Sequence, residues 1–389
     1  MRILVAHNFY QQKGGEDGVF DAEADLLESQ GHHVIRYTIH NEKLSQMNSI
    51  QMVRSTVWNS KIYQDLRNLI KQEKLQIAHF HNTFPLISPA AYYAAHAEGI
   101  PVVQTLHNYR LLCPNAEFFR AGKVCESCLG QPIPLAGVRH ACYRHNRLAS
   151  TVVAVMLATH RSINTWNKAV DCYIALTPFA QQKFIQGGLP ASKILIKPNF
   201  VNPDPGHGEG QGGYALFVGR LAPEKGIGTL LAAWKQLGQE IPLKIAGDGP
   251  LTDQVEALSR HTSGVESLGK QPIESVYKLM EQAAFLVFPS EWYEGMPRTI
   301  VEAFAKGTPV IASKIGAIAE LVDHGRTGLL FEPGNAEDLA NQVRWAIAHP
   351  NELANMRQEA RAEFEAKYTA DANYRQLMEI YAMVGASER

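Results

Sequence analysis

Glu294 and Glu302 stand eight residues apart, directly after the apolar run at residues 285–288. The run predicts a buried strand, and Gly295 and Pro297 predict a turn into a helix, because proline suits the first helical position. The free amides of a first helical turn attract anions, so a diphosphate is the favoured ligand there. Glu302, about five residues inside the helix, could accept hydrogen bonds from sugar hydroxyls. Ligands of open α/β sheets bind outside the carboxyl ends of strands, which favours a binding site over a solvated pair of charges.

Two further loops carry residue types that such a ligand would need. One loop follows a predicted strand and holds Arg220 and Lys225, two cations that could bind the same phosphate. The other follows a second strand and holds Gly247 and Gly249, where the missing side chains let a ligand approach the backbone. The alternatives are a helix-entry loop with two exposed cations and an ordinary Gly-Asp-Gly turn.

The elements that would position these loops are short apolar runs that alternate with helical patterns, which is typical of βαβ units with buried parallel strands. The predicted strands lie at residues 3–8, 33–39, 77–81, 101–106, 172–176, 194–197, 215–219, 243–246, 265–268, 285–288, 310–312 and 328–331. Residues 198–213 are rich in Pro and Gly and form the clearest linker. We therefore predict an α/β chain of two doubly wound, Rossmann-like domains that face a central cleft.

A chain of 389 residues is long enough for two such domains. The predicted bounds are 1–200 for the first domain and 201–370 for the second. An insertion at about 108–146 interrupts the first domain, and a C-terminal helix at 371–389 could pack back on it.

The second half of the chain contains a series of motifs in the order typical of one enzyme family. They are Gly219-Arg220, Lys225-Gly226, Gly247-Asp248-Gly249-Pro250, Pro289-Ser290, the Glu294 to Glu302 pair, Gly307-Thr308-Pro309-Val310 and Thr327-Gly328-Leu329-Leu330. With them the chain resembles the retaining GT-B glycosyltransferases of family 4, strongly over residues 214–345 and more loosely in the first half. The resemblance implies that a sugar passes, with retention, from a UDP-, GDP- or ADP-linked donor to a saccharide or lipid-linked acceptor. It also implies a role in cell-surface polysaccharide or glycolipid assembly.

The resemblance also implies a role for each site residue. Arg220 and Lys225 would hold the diphosphate, Glu294 the hydroxyls of the donor sugar, and Glu302 the ribose. The turn before the helix would assist at the phosphate through its amides; its residues are Gly295, Met296, Pro297, Arg298 and Thr299.

In the first half, the resemblance places a glycine loop across the cleft from the diphosphate. This loop runs from Lys13 to Gly18 and includes Gly14 and Gly15. The resemblance also places His107, at the end of the fourth predicted strand, close to the donor sugar as a catalytic residue. His79 and His81 alternate with apolar positions, and we interpret both as structural.

No Asp-x-Asp pair occurs in the sequence, so we expect cations, and no catalytic metal, to carry the diphosphate. Two alternatives to glycosyl transfer stay open. One is another GT-B enzyme, a glycoside phosphorylase or a sugar-nucleotide epimerase. The other is a non-catalytic nucleotide-sugar sensor, against which the intact charged residues argue.

The predicted insertion carries four cysteines in the spacing C-x11-C-x2-C-x13-C: Cys113, Cys125, Cys128 and Cys142. Four thiolates are the ligand set of closed structural zinc sites, which predicts a structural zinc ion. His140 and His145 are possible substitute ligands, and four unrelated buried thiols are the alternative. Disulfides are disfavoured because the predicted compartment is reducing. Cys172 lies in a predicted strand and should belong to the core.

The formal net charge of -1 argues against a nucleic-acid binder. Residues 127–170 nevertheless contain no acid, and five cations lie there: Arg139, Arg144, Arg147, Arg161 and Lys168. They are either a solvated face or a docking surface for anionic lipid or a phosphate-bearing acceptor. The apolar stretch 151–159 is too short to span a bilayer, but as a surface patch it could lie in the membrane interface. The first residues read as a strand and show no signal peptide. We therefore expect a cytoplasmic protein that is peripheral to the inner face of the membrane.

Overall fold

Two α/β units account for the residues that this computed structural model describes, which are 1–11, 14–262 and 264–385. The first unit consists of Met1–Phe118, Cys125–Pro198 and Asn373–Arg389. The second consists of Phe119–Val124 and Asn199–Ala372. The first unit is therefore built from separate stretches of the chain, one of which follows the whole second unit.

The strands, in chain order, are β1 (Arg2–Phe9), β2 (His33–His40), β3 (Ile77–Asn82), β4 (Val102–Leu106), β5 (Phe119–Arg120), β6 (Lys123–Val124), β7 (Cys172–Ala175), β8 (Ile194–Ile196), β9 (Ala215–Val218), β10 (Leu243–Ala246), β11 (Val265–Gly269), β12 (Phe285–Phe288), β13 (Val310–Ser313) and β14 (Gly328–Phe331).

The α-helices are α1 (Gly15–Ser29), α2 (Ser49–Val57), α3 (Ser60–Glu73), α4 (Ala90–Ala97), α5 (Leu135–Arg139), α6 (Arg147–Ser162), α7 (Thr165–Lys168), α8 (Pro178–Gln186), α9 (Ile227–Leu237), α10 (Thr252–His261), α11 (Ile273–Gln282), α12 (Arg298–Ala305), α13 (Ile318–Leu321), α14 (Ala336–Ala348), α15 (Pro350–Lys367) and α16 (Ala370–Met383).

The first unit is organised around a parallel sheet of order β2-β1-β3-β4-β7-β8. Every residue of the central strands β3 and β4 is buried, including the polar side chains of His79, His81 and Gln104. Leu377, Ile380 and Tyr381 of α16 join Ile3 and Val103 in one core cluster. The last described helix therefore completes the core of the first unit.

The second unit repeats this design with a parallel sheet of order β11-β10-β9-β12-β13-β14. Helices α9 and α14 cover one face, where Trp234, Leu230 and Val343 are fully buried. In both units the strand order reverses beside the strand that comes first in the chain. The reversal lies between β1 and β3 in the first unit and between β9 and β12 in the second, and ligands of such sheets bind at these points.

The predicted strands are confirmed, with ends that shift by at most one residue. The hairpin of β5 and β6 was not predicted, because two-residue strands have no detectable alternation. One helix start was wrong by a residue. Pro297 has φ -71° and ψ 112°, so it precedes α12 as the capping residue and Arg298 is the first helical position.

The apolar stretch 151–159 differs from its predicted role as a surface patch. It lies inside α6, where Val153, Ala154, Met156 and Leu157 are buried and only part of the helix faces solvent. Leu148 and Val155 are the apolar side chains of α6 that remain exposed. The stretch is mostly core because one face of α6 packs on α5 and α2.

Candidate functional site

Three loops of the second unit leave neighbouring strand ends and form the candidate site. Residues 219–226 follow β9, residues 247–250 follow β10, and residues 289–297 follow β12. Since β10, β9 and β12 are adjacent and parallel, these loops emerge at the same edge of the sheet. The loops after β9 and β12 flank the point where the strand order reverses.

Lys225 and Glu294 meet at this reversal point. Lys225 Nζ lies 2.6 Å from Glu294 Oε1, and Ser290 Oγ donates a hydrogen bond of 2.8 Å to the same oxygen. Lys225 also lies over the ring of Trp292, with 5.2 Å from Nζ to the ring centroid. Glu294 is 7% exposed, so an ammonium and a hydroxyl together hold a nearly buried carboxylate.

The turn after β12 is tied to the loop after β9 by further polar contacts. The amide of Glu291 donates to the carbonyl of Glu224 at 2.9 Å, and Thr229 Oγ1 donates to Glu291 Oε1 at 2.6 Å. These bonds join the first turn of α9 to the segment that carries Glu294. The positions of Lys225 and Glu294 are thereby fixed relative to each other.

Arg220 differs from Lys225 because its side chain is exposed. Within the described chain its guanidinium makes no ion pair, whereas Lys225 is paired. Arg220 is thus available for a ligand anion without first giving up a protein partner. A guanidinium can bind a phosphate with two parallel hydrogen bonds.

The glycines of these loops are required by close backbone contacts. A Cβ on Gly247 would lie 1.8 Å from the carbonyl oxygen of Gly219, and a Cβ on Gly249 would lie 2.6 Å from that of Leu221. Gly226, at φ 70°, leaves no space either, because its Cβ would meet the carbonyl oxygen of Pro289. The loops after β9 and β10 therefore touch backbone to backbone.

Glu302 lies on α12 and is 7% exposed. Burial raises its pKa, and Arg298, whose Nη2 is 3.4 Å from Glu302 Oε1, lowers it in part. Tyr277 lies near this carboxyl, since burial and then Glu302 raise the pKa of Tyr277 to about 12. Glu302 and Arg298 form a pair on one side of the helix, while Glu294 belongs to the turn before it.

The turn itself is anchored by Met296. The amide of Asn199 donates to Met296 Sδ at 3.0 Å, and Asn199 Nδ2 donates to the carbonyl of Met296 at 3.2 Å. Met296 is buried, while Gly295 and Thr299 are partly exposed. Asn199 thus anchors the turn that carries the amides at the start of α12.

The predicted residues of the first half lie in the first unit, at the ends of β1 and β4. Gly14 precedes α1, and its amide donates to Asp17 Oδ2 at 2.8 Å. Asp17 Oδ1 lies 2.6 Å from His7 Nε2, and both side chains are buried. Gly15 has free space where a Cβ would be. Lys13 lies outside the described residues.

His107 follows β4 and contacts a second histidine. Its Nε2 lies 2.9 Å from His81 Nδ1, and His81 Nε2 lies 3.2 Å from Glu23 Oε1. Glu23 Oε2 is bound by Lys197 Nζ at 2.6 Å, and Glu23 Oε1 also lies 3.2 Å from His79 Nδ1. His81, which the sequence led us to interpret as structural, thus contacts the predicted catalytic residue His107.

Burial sets the ionisation of this cluster. It would raise the pKa of Glu23, but Lys197 and then His79 and His81 outweigh it and hold that pKa well below its usual value. Burial lowers the pKa of His79 to about 3 and also lowers those of His81 and His107. The carboxyl is therefore ionised and the histidines are neutral at neutral pH.

Among the described residues, one set of three ligand atoms lies within 4.8 Å of one another: those of Glu23, His79 and His81. The ammonium of Lys197, 2.6 Å from Glu23, already supplies the positive charge there. The set is better suited to an ion pair than to a metal ion, because a cation would have to displace this buried ammonium.

The four cysteines predicted to bind zinc lie in the first unit and are unbridged. Burial raises the pKa of Cys128 to about 11, and Cys113, Cys142 and Cys125 add to this rise, so the thiols are neighbours. Among the described residues, however, no three of their sulfurs lie within 4.8 Å of one another. Cys172 is buried in β7, in the core of the unit.

Comparison with known families covers most of the chain. The family described as glycosyl transferases group 1 matches residues 206–363, and glycosyltransferase family 4 matches residues 19–205. This chain belongs to the group 1 glycosyl transferases.

Curated relatives of this glycosyltransferase match it over part of their length. An uncharacterized glycosyltransferase of Methanocaldococcus jannaschii is 33% identical over 46% of this chain and 50% of its own. The amylovoran biosynthesis glycosyltransferase AmsK of Erwinia amylovora is 28% identical over 51% and 53%, respectively. The D-rhamnosyltransferase WbpZ of Pseudomonas aeruginosa is 30% identical over 40% and 42%. The chain spans about half the length of these relatives.

Solved structures match the glycosyltransferase over nearly its whole length. Anabaena HepE, in complex with UDP, has a TM-score of 0.70 and 20% identity over 98% of this chain and 100% of its own. The sucrose-phosphate synthase of Thermosynechococcus elongatus has a TM-score of 0.72 and 18% identity over 100% of both chains. At these identities the likeness shows the fold, which is GT-B, with two Rossmann-like domains built on parallel sheets.

Sequence reasoning missed several residues that contact the predicted site residues within each unit. Ser290 binds Glu294, Thr229 binds Glu291, and Glu23 and Lys197 lie behind His81. A signal existed for His81, because its alternation with His79 places both on one face of β3. None existed for the Glu23–Lys197 pair, whose members are 174 residues apart.

Proposed function

We propose that this protein transfers a sugar, with retention and without a catalytic metal, from a nucleoside-diphosphate sugar to an acceptor hydroxyl. The observation that carries the proposal is the Lys225–Glu294 pair of 2.6 Å at the reversal point of the second sheet, beside the exposed Arg220. Two features support it further. Anabaena HepE was solved with UDP and with UDP-glucose, and AmsK acts in amylovoran biosynthesis.

The ion pair suggests how a donor would engage the site. A diphosphate that approaches Arg220 brings negative charge to Lys225, which then divides its hydrogen bonds between phosphate and Glu294. Glu294 keeps the hydroxyl of Ser290 and gains freedom to accept from hydroxyls of the sugar. The same carboxylate would thus orient the lysine before binding and the sugar after it.

Departure of the diphosphate is the step that needs most stabilisation. Negative charge develops on the leaving phosphate, where Arg220, Lys225 and the amides at the start of α12 are fixed in advance. The acceptor hydroxyl would attack from the face that the phosphate leaves and pass its proton to a phosphate oxygen. This course needs no covalent nucleophile and no metal, in keeping with the lack of an Asp-x-Asp pair.

For the acceptor we propose a saccharide or lipid-linked molecule at an anionic membrane surface of the cytoplasmic face. Helix α6 packs on α2 and α5, and the exposed apolar side chains on and beside these helices include Ile50, Val53, Ile133, Leu135, Leu148 and Val155. The exposed cations are Arg54, Arg139, Arg144 and Arg147. No helix among the described residues is both long and apolar enough to cross a membrane.

One cation of the predicted basic surface is used elsewhere. Arg161 is partly buried, and its Nη2 donates to the carbonyl of Leu111 at 2.8 Å. Its Nη1 donates to the carbonyl of Gln131. Arg161 therefore holds two loops together, and the proposed surface does not include it.

The decisive experiment compares nucleoside-diphosphate release with and without acceptor sugars, in wild type and in Arg220→Ala. Arg220→Ala should lower kcat by about 10²- to 10³-fold, the usual loss for one donor that stabilises developing charge. Arg260→Ala is the matched control, since Arg260 is exposed in the same unit but lies at the far end of α10. Unchanged kcat in Arg220→Ala would contradict the assignment.

The same assay separates the alternatives. A phosphorylase would need inorganic phosphate as the acceptor, and an epimerase would convert the donor without any acceptor. A sensor would bind nucleoside diphosphates, seen as a thermal shift, without releasing product. A ligand at 100 times its Kd adds about 2.7 kcal/mol of stability, so a panel of UDP, GDP and ADP also identifies the base.

A further inference from the structure

A buried chain of polar contacts in the first unit runs from an ion pair to His107. Glu23 of α1 and Lys197 are each no more than 1% exposed, and Lys197 Nζ lies 2.6 Å from Glu23 Oε2. Glu23 Oε1 lies 3.2 Å from His81 Nε2, and His81 Nδ1 lies 2.9 Å from His107 Nε2. Four side chains from different parts of the chain are thus connected in series.

The neighbouring contacts fix Glu23 and His79. His79 Nδ1 lies 2.8 Å from the hydroxyl of Tyr381, and His79 Nε2 lies 2.8 Å from Thr105 Oγ1. His79 therefore has a partner at each ring nitrogen besides its contact of 3.2 Å with Glu23. The carboxylate of Glu23 thus faces Lys197 at one oxygen and the two histidines at the other.

Hydrogen bonding along this chain determines where the protons are. A neutral imidazole has one nitrogen that donates and one that accepts, and an ionised carboxylate only accepts. Among the described residues, neither Glu23 Oε1 nor His81 Nε2 makes an aligned hydrogen bond, and the two atoms face each other at 3.2 Å. If His81 Nε2 lacked its proton, two lone pairs would face each other in a buried site, which is costly.

His81 therefore carries its proton on Nε2 and accepts with Nδ1. The nitrogen that faces this acceptor, Nε2 of His107, must then be the one that donates. It follows that Nδ1 of His107 is unprotonated. In the described chain this Nδ1 has no hydrogen-bond partner, and His107 is partly exposed, so the lone pair is open to a ligand.

We propose that Glu23 and His81 are positioning residues that hold His107 as a hydrogen-bond acceptor, through Nδ1, for a hydroxyl group of the substrate. Its kinetic part rests on the proposed glycosyl transfer; its structural part does not. His107 in this state binds a sugar hydroxyl and cannot act as a proton donor to the leaving group. The roles of general acid and of hydroxyl acceptor are thereby separated.

The first test is the tautomer of His107 in the wild-type protein, measured by NMR on protein labelled with 15N-histidine at pH 7.5. His81→Gln and His107→Gln assign the two signals. We expect both rings to be neutral, protonated at Nε2 and unprotonated at Nδ1. A His107 ring that is protonated at Nδ1, or at both nitrogens, would overturn the proposal.

The second test removes the ion pair of Glu23 and Lys197, with which the series of contacts begins. Glu23→Gln with Lys197→Met eliminates both charges, so no ammonium is left buried without a partner. We expect a mixture of His81 and His107 tautomers and a kcat lowered by about 10- to 100-fold, the size typical when outer groups that orient a histidine are lost. A larger loss in kcat than in donor binding, together with the altered spectrum, marks positioning.

The matched control is Glu98→Gln with Arg67→Met, which removes another ion pair of the first unit. It should leave both tautomer and kcat unchanged. An unaltered His107 signal in the Glu23 and Lys197 double variant would overturn the proposal. Should that variant not fold, the wild-type spectrum decides alone. Absence of any transfer by wild type would refute the proposed function and leave the tautomer measurement valid.

Discussion

Glu294 and Glu302 show how two residues of the same type differ once their surroundings are known. Glu294 is bound by Lys225 and Ser290, whereas Glu302 is nearly buried on a helix with Arg298 as a more distant partner. The sequence predicts that Glu294 lies in the turn after a strand and Glu302 inside the helix that follows, because strand, turn and helix signals are local. It cannot predict which cation reaches which carboxylate, since Lys225 is 69 residues away from Glu294.

Glu302→Gln should raise KM for the donor by roughly tenfold if Glu302 binds the ribose. A hydrogen bond to a charged group is worth about 1.5–3 kcal/mol, and an amide keeps part of it. The measurement compares the natural donor with its 2′- and 3′-deoxy forms in wild type and variant. For the hydroxyl that Glu302 binds, the loss of donor binding caused by Glu302→Gln and the loss caused by the deoxy donor should not add. Fully additive losses with both analogues would show that Glu302 does not contact the ribose.

Stability should fall as the pH drops below about 6.5, because His79 and His81 are held neutral. Their folded pKa values are lowered, that of His79 to about 3, while the unfolded chain has the ordinary value of 6.5. Between these values the unfolded state binds more protons, so stability rises with pH in this window. Each group contributes about 1.4 kcal/mol per pH unit.

The measurement is the thermal midpoint of wild type and His79→Gln between pH 7.5 and 5.5. The wild-type midpoint should decrease over this range, and the decrease should be smaller in the variant. Below the unfolded value of Glu23, 4.5, the lowered pKa of that carboxyl adds a further loss in the same direction. Equal slopes for both proteins would mean that His79 is not held neutral.

At the scale of elements, strands were easier to predict than the segments between them. Parallel strands such as β9 and β12 are continuous apolar runs followed directly by Gly219 and Pro289, and these signals are local. The hairpin of β5 and β6 and the course of residues 108–146 depend on contacts that the sequence does not encode locally. The role of α6 was wrong for the same reason, since an apolar run does not reveal which face another helix covers.

The zinc prediction for residues 108–146 remains open to a direct test. We expect one zinc per chain in wild type, and none in Cys128→Ser, because four thiolates complete a closed site. Cys172→Ser is the matched control, as burial raises the pKa of both thiols to about 11. Metal analysis after purification without chelator, combined with alkylation, gives the result. No zinc and four freely alkylated thiols would refute the site.

For the whole molecule, a net charge of -1 conceals an uneven distribution. The stretch without acids in the first unit includes α5 and α6, and exposed apolar side chains lie among its cations. The net charge therefore argued against nucleic acid as a partner, but it gave no indication of a membrane-binding surface. The pattern of cations is local in sequence, but which of them face solvent is known only from the fold, as Arg161 shows.

Binding to vesicles should depend on anionic lipid and on salt. Wild type should sediment with vesicles that contain anionic lipid at low salt and remain in solution with neutral ones. Arg139→Ala, Arg144→Ala and Arg147→Ala combined should weaken binding about 100-fold, at ~1 kcal/mol per cation. The effect should fade at high salt.

The control variant combines Lys61→Ala, Lys71→Ala and Lys74→Ala on and just after α3, which removes the same number of exposed cations from the same unit. It should bind vesicles as wild type does. Equal weakening by both triple variants would show that overall charge, and not this surface, causes the binding. If wild type stayed in solution equally with both lipids, the surface would be a solvated face without a membrane role.

The position of α16 has a consequence for synthesis on the ribosome. Leu377, Ile380 and Tyr381 complete the core of the first unit, yet they are translated after every residue of the second. Since domains otherwise fold in the order in which they emerge, the first unit must wait, with an apolar face uncovered, while the second is made. Tyr381 also contacts His79, so the nascent chain cannot assemble the polar cluster behind His107 until the final turns of α16 have left the exit tunnel.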